Sequence, residues 1–247
     1  AEGIYDEAEF QKALAWTKAK CKEGFDKNPE FVRKSDEQKE KDWEFTVKMM
    51  CIIKDLMNGN PNLPEGREEE MVGHNAIAAG FQGQRQWTDF YPNCDFAEAL
   101  LNTSFDWEGV REPYILATEN DVLNGIGMLF MKLLTNRPQM FADVRTHWSA
   151  DAVKRVTGYD IEGKAKDAGG FIHLINSGAC CLDACGEVKD ENGNGIMKEW
   201  YNVTEEDADI PRWWPLNVIH LVSLRYIGRV LQGMLVSLSV RSFHCLC

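Results

Sequence analysis

Between Tyr114 and Ile175 short apolar runs alternate with stretches of helix length, and no other feature restricts the fold as much. Tyr114-Ile115-Leu116-Ala117-Thr118 reads as a buried strand, and Asn120 and Asp121 then cap a helix from Val122 to Leu134. Met140-Phe141-Ala142 reads as a second strand, residues 149–158 as a helix ended by Gly158, and Phe171 to Ile175 as a third strand. Strand, helix, strand, helix, strand predicts βαβ units, hence an α/β fold with a mostly parallel sheet and right-handed crossovers.

The region before this alternation is helical. Asp6 caps a helix whose apolar face holds Phe10, Leu14, Thr17 and Cys21. Ser35 and Gln38 form a capping box ahead of a long helix that Asn58-Gly59-Asn60 stops. Phe45, Met49, Ile52 and Leu56 make one apolar stripe on it, with Trp43, Val47 and Met50 beside it, so burial is expected over much of the circumference. Ala76 to Gly80 is small and apolar, which lets backbones approach closely, and a short helix is expected near Asp95 to Leu101. After Pro211 the character changes. Val218 to Val240 is rich in Leu, Val and Ile, but Arg225 and Arg229 interrupt it, so a buried or partner-facing helix is expected rather than a membrane span.

Charge and cysteine usage narrow the function classes. A net charge of −12 argues against a nucleic-acid partner, which favours a basic face. The opening Ala1 to Asp6 has neither the basic start nor the apolar core of a leader, so a cytoplasmic protein is expected. With 8 Cys in 247 residues, free buried thiols are expected rather than a disulfide scaffold.

In open α/β sheets ligands bind beyond the carboxyl ends of the strands. Glu119, Asp143 and Ser177 follow the three strands expected here, and parallel neighbours would set the carboxylates of Glu119 and Asp143 side by side. Two close carboxylates are costly unless a proton or a cation lies between them, so the pair suits a divalent metal or proton transfer. Each residue read singly serves equally as a cap or dipole partner, and Asp143 has Arg145 and Arg111 as candidate ion-pair partners. Other patterns lead nowhere. Asp190, Asn192, Asn194 and Gly195 begin a calcium loop, but Tyr201 stands where its closing Glu belongs. Cys180, Cys181 and Cys185 lack zinc-site spacing, and His173, inside a strand, reads as a satisfied core histidine.

At these same residues the chain resembles the L-fucose isomerase family. The matching stretches are Ala13 to Trp16, Asn75 to Arg85 (including Gly80-Phe81-Gln82-Gly83), Ser104 to Trp107, Arg111 to Pro113, Ala117 to Asp121, Phe141 to Thr146 and His173 to Gly178. Together they cover about residues 4–210, and the match fails beyond about Trp213.

The resemblance implies an aldose–ketose isomerase, an intramolecular oxidoreductase that interconverts L-fucose and L-fuculose through an ene-diol, accepts related sugars such as D-arabinose, and uses Mn²⁺. It implies Glu119 and Asp143 as metal ligands and proton-transferring pair, and Gln82 and Ser177 as residues that hydrogen-bond the sugar. It implies a cytoplasmic homo-oligomer, a hexamer, whose chain is longer at both ends, so that the His completing the metal site lies outside this chain. It also implies the latter part of a Rossmann-like domain over 1–135, then the beginning of the catalytic C-terminal domain over 136–247, with the boundary near Asn136-Arg137-Pro138. The rival expectations are an arabinose-type metal-dependent isomerase and a non-catalytic remnant or assembly module.

Overall fold

The computed structural model describes residues 4–23, 30–81, 94–175, 190–192, 198–204 and 212–214. The local signals hold. Helix α1 (Glu7–Lys20) starts at Asp6, whose carboxylate accepts from the Ala8 and Glu9 amides. Helix α2 (Asp36–Asn58) starts at Ser35, whose hydroxyl accepts from the Gln38 amide, and ends at Gly59 with φ 81°. Its core side is the Trp43, Val47 and Met50 stripe, with Thr46 and Cys51 alongside. The Phe45, Met49, Ile52 stripe is half-buried instead and Leu56 is exposed, because α1 and the short helix α4 (Asp95–Leu101) cover only one side of α2.

Between α2 and α4 lies α3 (Glu68–Val72), a single exposed turn. The main core joins α1, α2 and α4 through Phe10, Leu14, Val47, Met50, Phe96, Leu100 and Phe105. Burying a side chain such as Phe105 contributes about 2–3 kcal/mol. Two polar side chains inside this core satisfy each other. The Trp43 indole N–H donates to the Thr17 hydroxyl at 2.9 Å, and that hydroxyl donates to the Leu14 carbonyl at 3.0 Å. Cys21, Cys51 and Cys94 are buried thiols outside any disulfide, as expected, and the other cysteines lie outside the described residues. The three-residue strand β1 (Cys21–Glu23) pairs in parallel with β6 (Arg212–Trp214).

A small hairpin, β2 (Phe105–Asp106) with β3 (Gly109–Val110), follows α4. The Arg111 guanidinium then turns back onto α4. It pairs with the buried Asp106 carboxylate and donates to the carbonyls of Leu100, Leu101 and Thr103. Those are carbonyls a helix end leaves without intrahelical partners. Arg111 is therefore engaged with Asp106, a residue of its own neighbourhood rather than of a distant strand.

Two sequence expectations are corrected here. The run Tyr114–Thr118 is extended and largely buried, yet among the described residues it forms no regular strand: its pairing there is a single parallel bridge, Ala79 to Leu116. Ala79 takes one edge, donating to the Ile115 carbonyl and accepting from the Ala117 amide, both at 2.9 Å. The other edge is taken by a side chain. Asn102 donates to the Leu116 carbonyl at 2.9 Å and accepts from its amide at 2.7 Å. A lone carboxamide satisfies the groups that a neighbouring strand would have satisfied.

The second correction concerns direction. Strand β4 runs Asp143–Ser149, starting where the sequence suggested a strand would already have ended, and β5 (Gly170–Ile175) pairs with it antiparallel. Among the described residues the Tyr114–Thr118 run and β4 share no sheet. A parallel return would have to cover the 7 residues of β4, about 23 Å. That takes a helix of about 15 residues. The connection instead holds α6 (Ala150–Thr157), of 8 residues, and α7 (Gly163–Asp167), of 5. Gly158 in the left-handed conformation turns the chain between them, so it re-enters at Gly170, opposite Ser149.

Helix α5 (Val122–Thr135) lies between the Leu116 run and β4. It buries Gly125 and Met128 but leaves Leu123 82% and Leu134 78% exposed, an apolar surface of unusual extent. Among the described residues no helix is long and apolar enough to cross a membrane. Residues 215–247, with the apolar segment expected there, lie outside the described residues.

Candidate functional site

Glu119 stands where the buried Leu116 run meets α5. Its backbone is left-handed, with φ 60° and ψ 15°, and Asn120 follows at φ 54°. An L-residue other than Gly gives up roughly 1–2 kcal/mol in that conformation, with Asn tolerating it better than Glu. Such strain persists where the surroundings hold it. Here the Asn120 amide donates to the Ala117 carbonyl at 3.1 Å and the Asp121 amide to the Thr118 carbonyl at 3.2 Å. Asp121 then caps α5 by accepting from the Asn124 amide. The turn leaves Glu119 exposed directly after the buried Thr118.

Asp143 enters β4 beside the first turn of the same helix. The Asn124 side chain donates to the Ala142 carbonyl at 3.3 Å, tying the residue before Asp143 to the helix that Glu119 precedes. Nothing further is described of the Asp143 side chain. In the β4–β5 ladder Asp143 is opposite Ile175, two residues before Ser177. Antiparallel pairing thus sets the entry to β4 and the exit of β5 at one end of the ribbon, although not by the parallel-strand route expected. Gln82 and Ser177 themselves lie outside the described residues.

The approach to Gln82 is described as far as Phe81. It runs beside the approach to Glu119 through the Ala79 bonds, and the gap is so narrow that only glycine fits at position 80. A Cβ on Gly80 would stand 2.3 Å from the Ala117 carbonyl oxygen and 2.9 Å from the Asn120 Cα. The small-residue run Ala76 to Gly80 therefore does what its composition suggested.

Behind these segments lie two acids that no sequence motif singles out. Glu98, on α4, is 2% exposed and accepts from the Thr118 hydroxyl at 2.7 Å and from the Phe81 amide. Asp95, one turn earlier, is buried as well. Burial, and then the charge of Glu119, push the Asp95 carboxyl up to about 7. Burial, and then the charge of Asp95, push Glu98 up to about 8, although its bonds to Thr118 and Phe81 act the other way. The available signal was a Glu inside the otherwise apolar Phe96-Ala97-Glu98-Ala99-Leu100 run, on a helix with no exposed residue.

His173 is satisfied, as its strand position suggested, though half-buried rather than in a core: its Nδ1 accepts from the Trp148 indole at 3.2 Å. Glu119 offers carboxylate oxygens, the ligand type that hard divalent ions prefer. Among the described residues no group of three metal-capable side chains assembles. The fit to such an ion is therefore one of donor chemistry at Glu119 alone among the described side chains.

Residues 1–136 match the family model described as L-fucose isomerase, second N-terminal domain. The chain is 60% identical over 223 residues to an L-fucose isomerase of Bacteroides thetaiotaomicron, covering 87% of this chain and 37% of that protein. It is 58% identical over 224 residues to one from Bacteroides fragilis, covering 88% of this chain and 38% of the relative. A Streptococcus pneumoniae L-fucose isomerase is 58% identical over 207 residues, covering 83% and 35%. The chain thus spans less than two-fifths of the length of these relatives. With the family model matching more than half of its residues, the chain belongs to the L-fucose isomerase family.

Proposed function

We propose that this chain is the portion of an L-fucose isomerase that supplies the carboxylate half of its isomerisation site. The observation that carries the reading is convergence on the start of α5. Glu119 directly precedes that helix, Ala142 is bonded to its first turn, Ile175 is opposite Asp143, and Phe81 is bonded to the same acid as Thr118. These contacts support the reading at Glu119 and at the backbone leading to Asp143.

Glu119 and Asp143 would hold the Mn²⁺, which when bound supplies Lewis-acid stabilisation of negative charge developing on the sugar's first two oxygens. The chain's own carboxylates move the protons. One removes the C2 proton of the open-chain aldose and returns it to C1, while the other shifts the hydroxyl proton from O2 to O1. No net redox partner is needed, since C1 is reduced as C2 is oxidised. Gln82 and Ser177 hydrogen-bond sugar hydroxyls and fix which carbon faces the base. L-fucose is the substrate proposed first, and D-arabinose a related one.

The domain boundary near Asn136, the Rossmann-like ancestry of the first part, the cytoplasmic location and the hexameric assembly belong to the same proposal. The exposed apolar surface of α5 favours a contribution to assembly as well. Two carboxylates bind Mn²⁺ more weakly than a complete ligand set, so the isolated 247-residue chain is proposed to be inactive. Titration with Mn²⁺ tests this directly. The chain should bind weakly, and Glu119→Gln should abolish binding. Equal binding by both would refute the site, and turnover of L-fucose by the purified chain would refute the inactivity.

A further inference from the structure

We infer that Glu98 is a positioning residue: its single buried carboxyl group sets the spacing between the arm that carries Glu119 and the arm that leads to Gln82. The inference rests on the proposed roles of Glu119 and Gln82, and it concerns a residue to which neither the resemblance nor a motif gives any part.

The geometry is a clamp. Glu98 projects from α4, a helix whose residues are all buried and which Arg111 fastens at its C-terminal end. Its carboxyl accepts from two donors on segments far apart in sequence, the Thr118 hydroxyl at 2.7 Å and the Phe81 amide. Each donor belongs to the residue immediately before one of the proposed site residues, Thr118 before Glu119 and Phe81 before Gln82. The Ala79 bonds already join the two arms further back. Glu98 acts closer to the chemistry, where the arms begin to leave the sheet-like pairing and where Glu119 and Asn120 take up left-handed backbone.

The placement also explains why an acid is kept in an apolar interior. A hydrocarbon side chain at position 98 would strand the buried Thr118 hydroxyl and take this acceptor from the Phe81 amide, and buried polar groups avoid being left so. A carboxyl or carboxamide offers a planar group with an acceptor oxygen of the required length; leucine offers only bulk. Gly80 completes the clamp, since any side chain there would collide with Ala117 and Asn120 and hold the arms apart.

The test uses the full 247-residue chain in five forms: wild type, Glu98→Leu, Glu98→Gln, Thr118→Val and Glu119→Gln. Hydrogen exchange is read at the Phe81, Asn120 and Asp121 amides, and Mn²⁺ affinity by electron paramagnetic resonance. Glu98→Leu and Thr118→Val should each speed exchange at the Asn120 and Asp121 amides and weaken Mn²⁺ binding by about tenfold, the scale set by one lost hydrogen bond. Exchange within α2 should not change. Glu98→Gln, which keeps the acceptor and the shape, should stay within about twofold of wild type. Thr118→Val is nearly isosteric, so it carries the test if Glu98→Leu does not fold.

A merely structural role predicts loosening spread into α2 and no particular loss of Mn²⁺, and that pattern would overturn the inference. So would Glu98→Gln behaving like Glu98→Leu. If wild type and Glu119→Gln bind Mn²⁺ alike, the site reading itself fails and the positioning role falls with it, even where the exchange data still show the clamp.

Discussion

Replacing Asn102 by alanine should cost this chain far more than the loss of one small polar residue suggests. Leu116 is fully buried, and both of its backbone polar groups face the Asn102 carboxamide, through bonds of 2.9 and 2.7 Å. Its neighbours cannot take over, because Ala79 is already bonded to the Ile115 carbonyl and the Ala117 amide. Alanine at 102 leaves one N–H and one C=O buried and unpaired, each costing about 1–3 kcal/mol. The sum is roughly 2–6 kcal/mol, with about 4 kcal/mol as the central value. For a chain of this length about 4 kcal/mol lowers the melting temperature by roughly 8–16 °C.

Urea unfolding followed by tryptophan fluorescence gives the free energy directly, and calorimetry gives the shift in Tm. Asn62→Ala, at an exposed position, serves as the control and should stay within about 0.5 kcal/mol. Asn102→Asp separates the two bonds. It can still accept from the Leu116 amide, but it turns an acceptor toward the Leu116 carbonyl, so it should rescue little. A loss below about 1 kcal/mol for Asn102→Ala would refute the idea that a side chain stands in for a strand edge here. The same burial keeps Asn102 out of reach as a glycosylation acceptor, although it opens an Asn-Thr-Ser sequon.

Gly80→Ala should destabilise the chain by on the order of 2 kcal/mol or more, because the new Cβ meets backbone rather than a movable side-chain tip; an unchanged urea midpoint would count against the close approach of the two arms. The buried acids predict a pH dependence. Asp95 is raised from 3.8 to about 7 and Glu98 from 4.5 to about 8, mainly by burial. The folded state therefore binds these protons more tightly than the unfolded chain, and the stability they contribute is complete below about pH 4 and lost as pH rises through 7 to 8. Glu98→Gln cannot lose that proton, so its melting temperature relative to wild type should rise between pH 6 and pH 9; a constant or falling difference would contradict the assignment.

Much of the fold could be read along the chain because its causes are local. Asp6, Ser35, Gly59, Asp121 and Gly158 act on backbone groups within a few residues of themselves, and α1, α2, α5 and α6 begin and end where these residues direct. The candidate site was partly legible for the same reason. Glu119 and Asp121 bracket a turn between a buried run and a helix, a place where an exposed acid is held by short-range geometry.

The sequence by itself determined α1, α2, α5 and α6 with their capping residues, the short helix α4, the narrow passage at Gly80 and the position of Glu119 ahead of α5, but not α3 or α7. Tertiary structure alone decided the direction of β5 against β4, since strands of similar length pair either way and only the two short helices between them reverse the chain. It alone gave Leu116 a carboxamide in place of a neighbouring strand, and it gave Glu98 its hold on two distant arms. Capping depends on residues that are always near one another, whereas these pairings join groups that meet only once the whole chain has packed, and a linear pattern carries no record of such meetings.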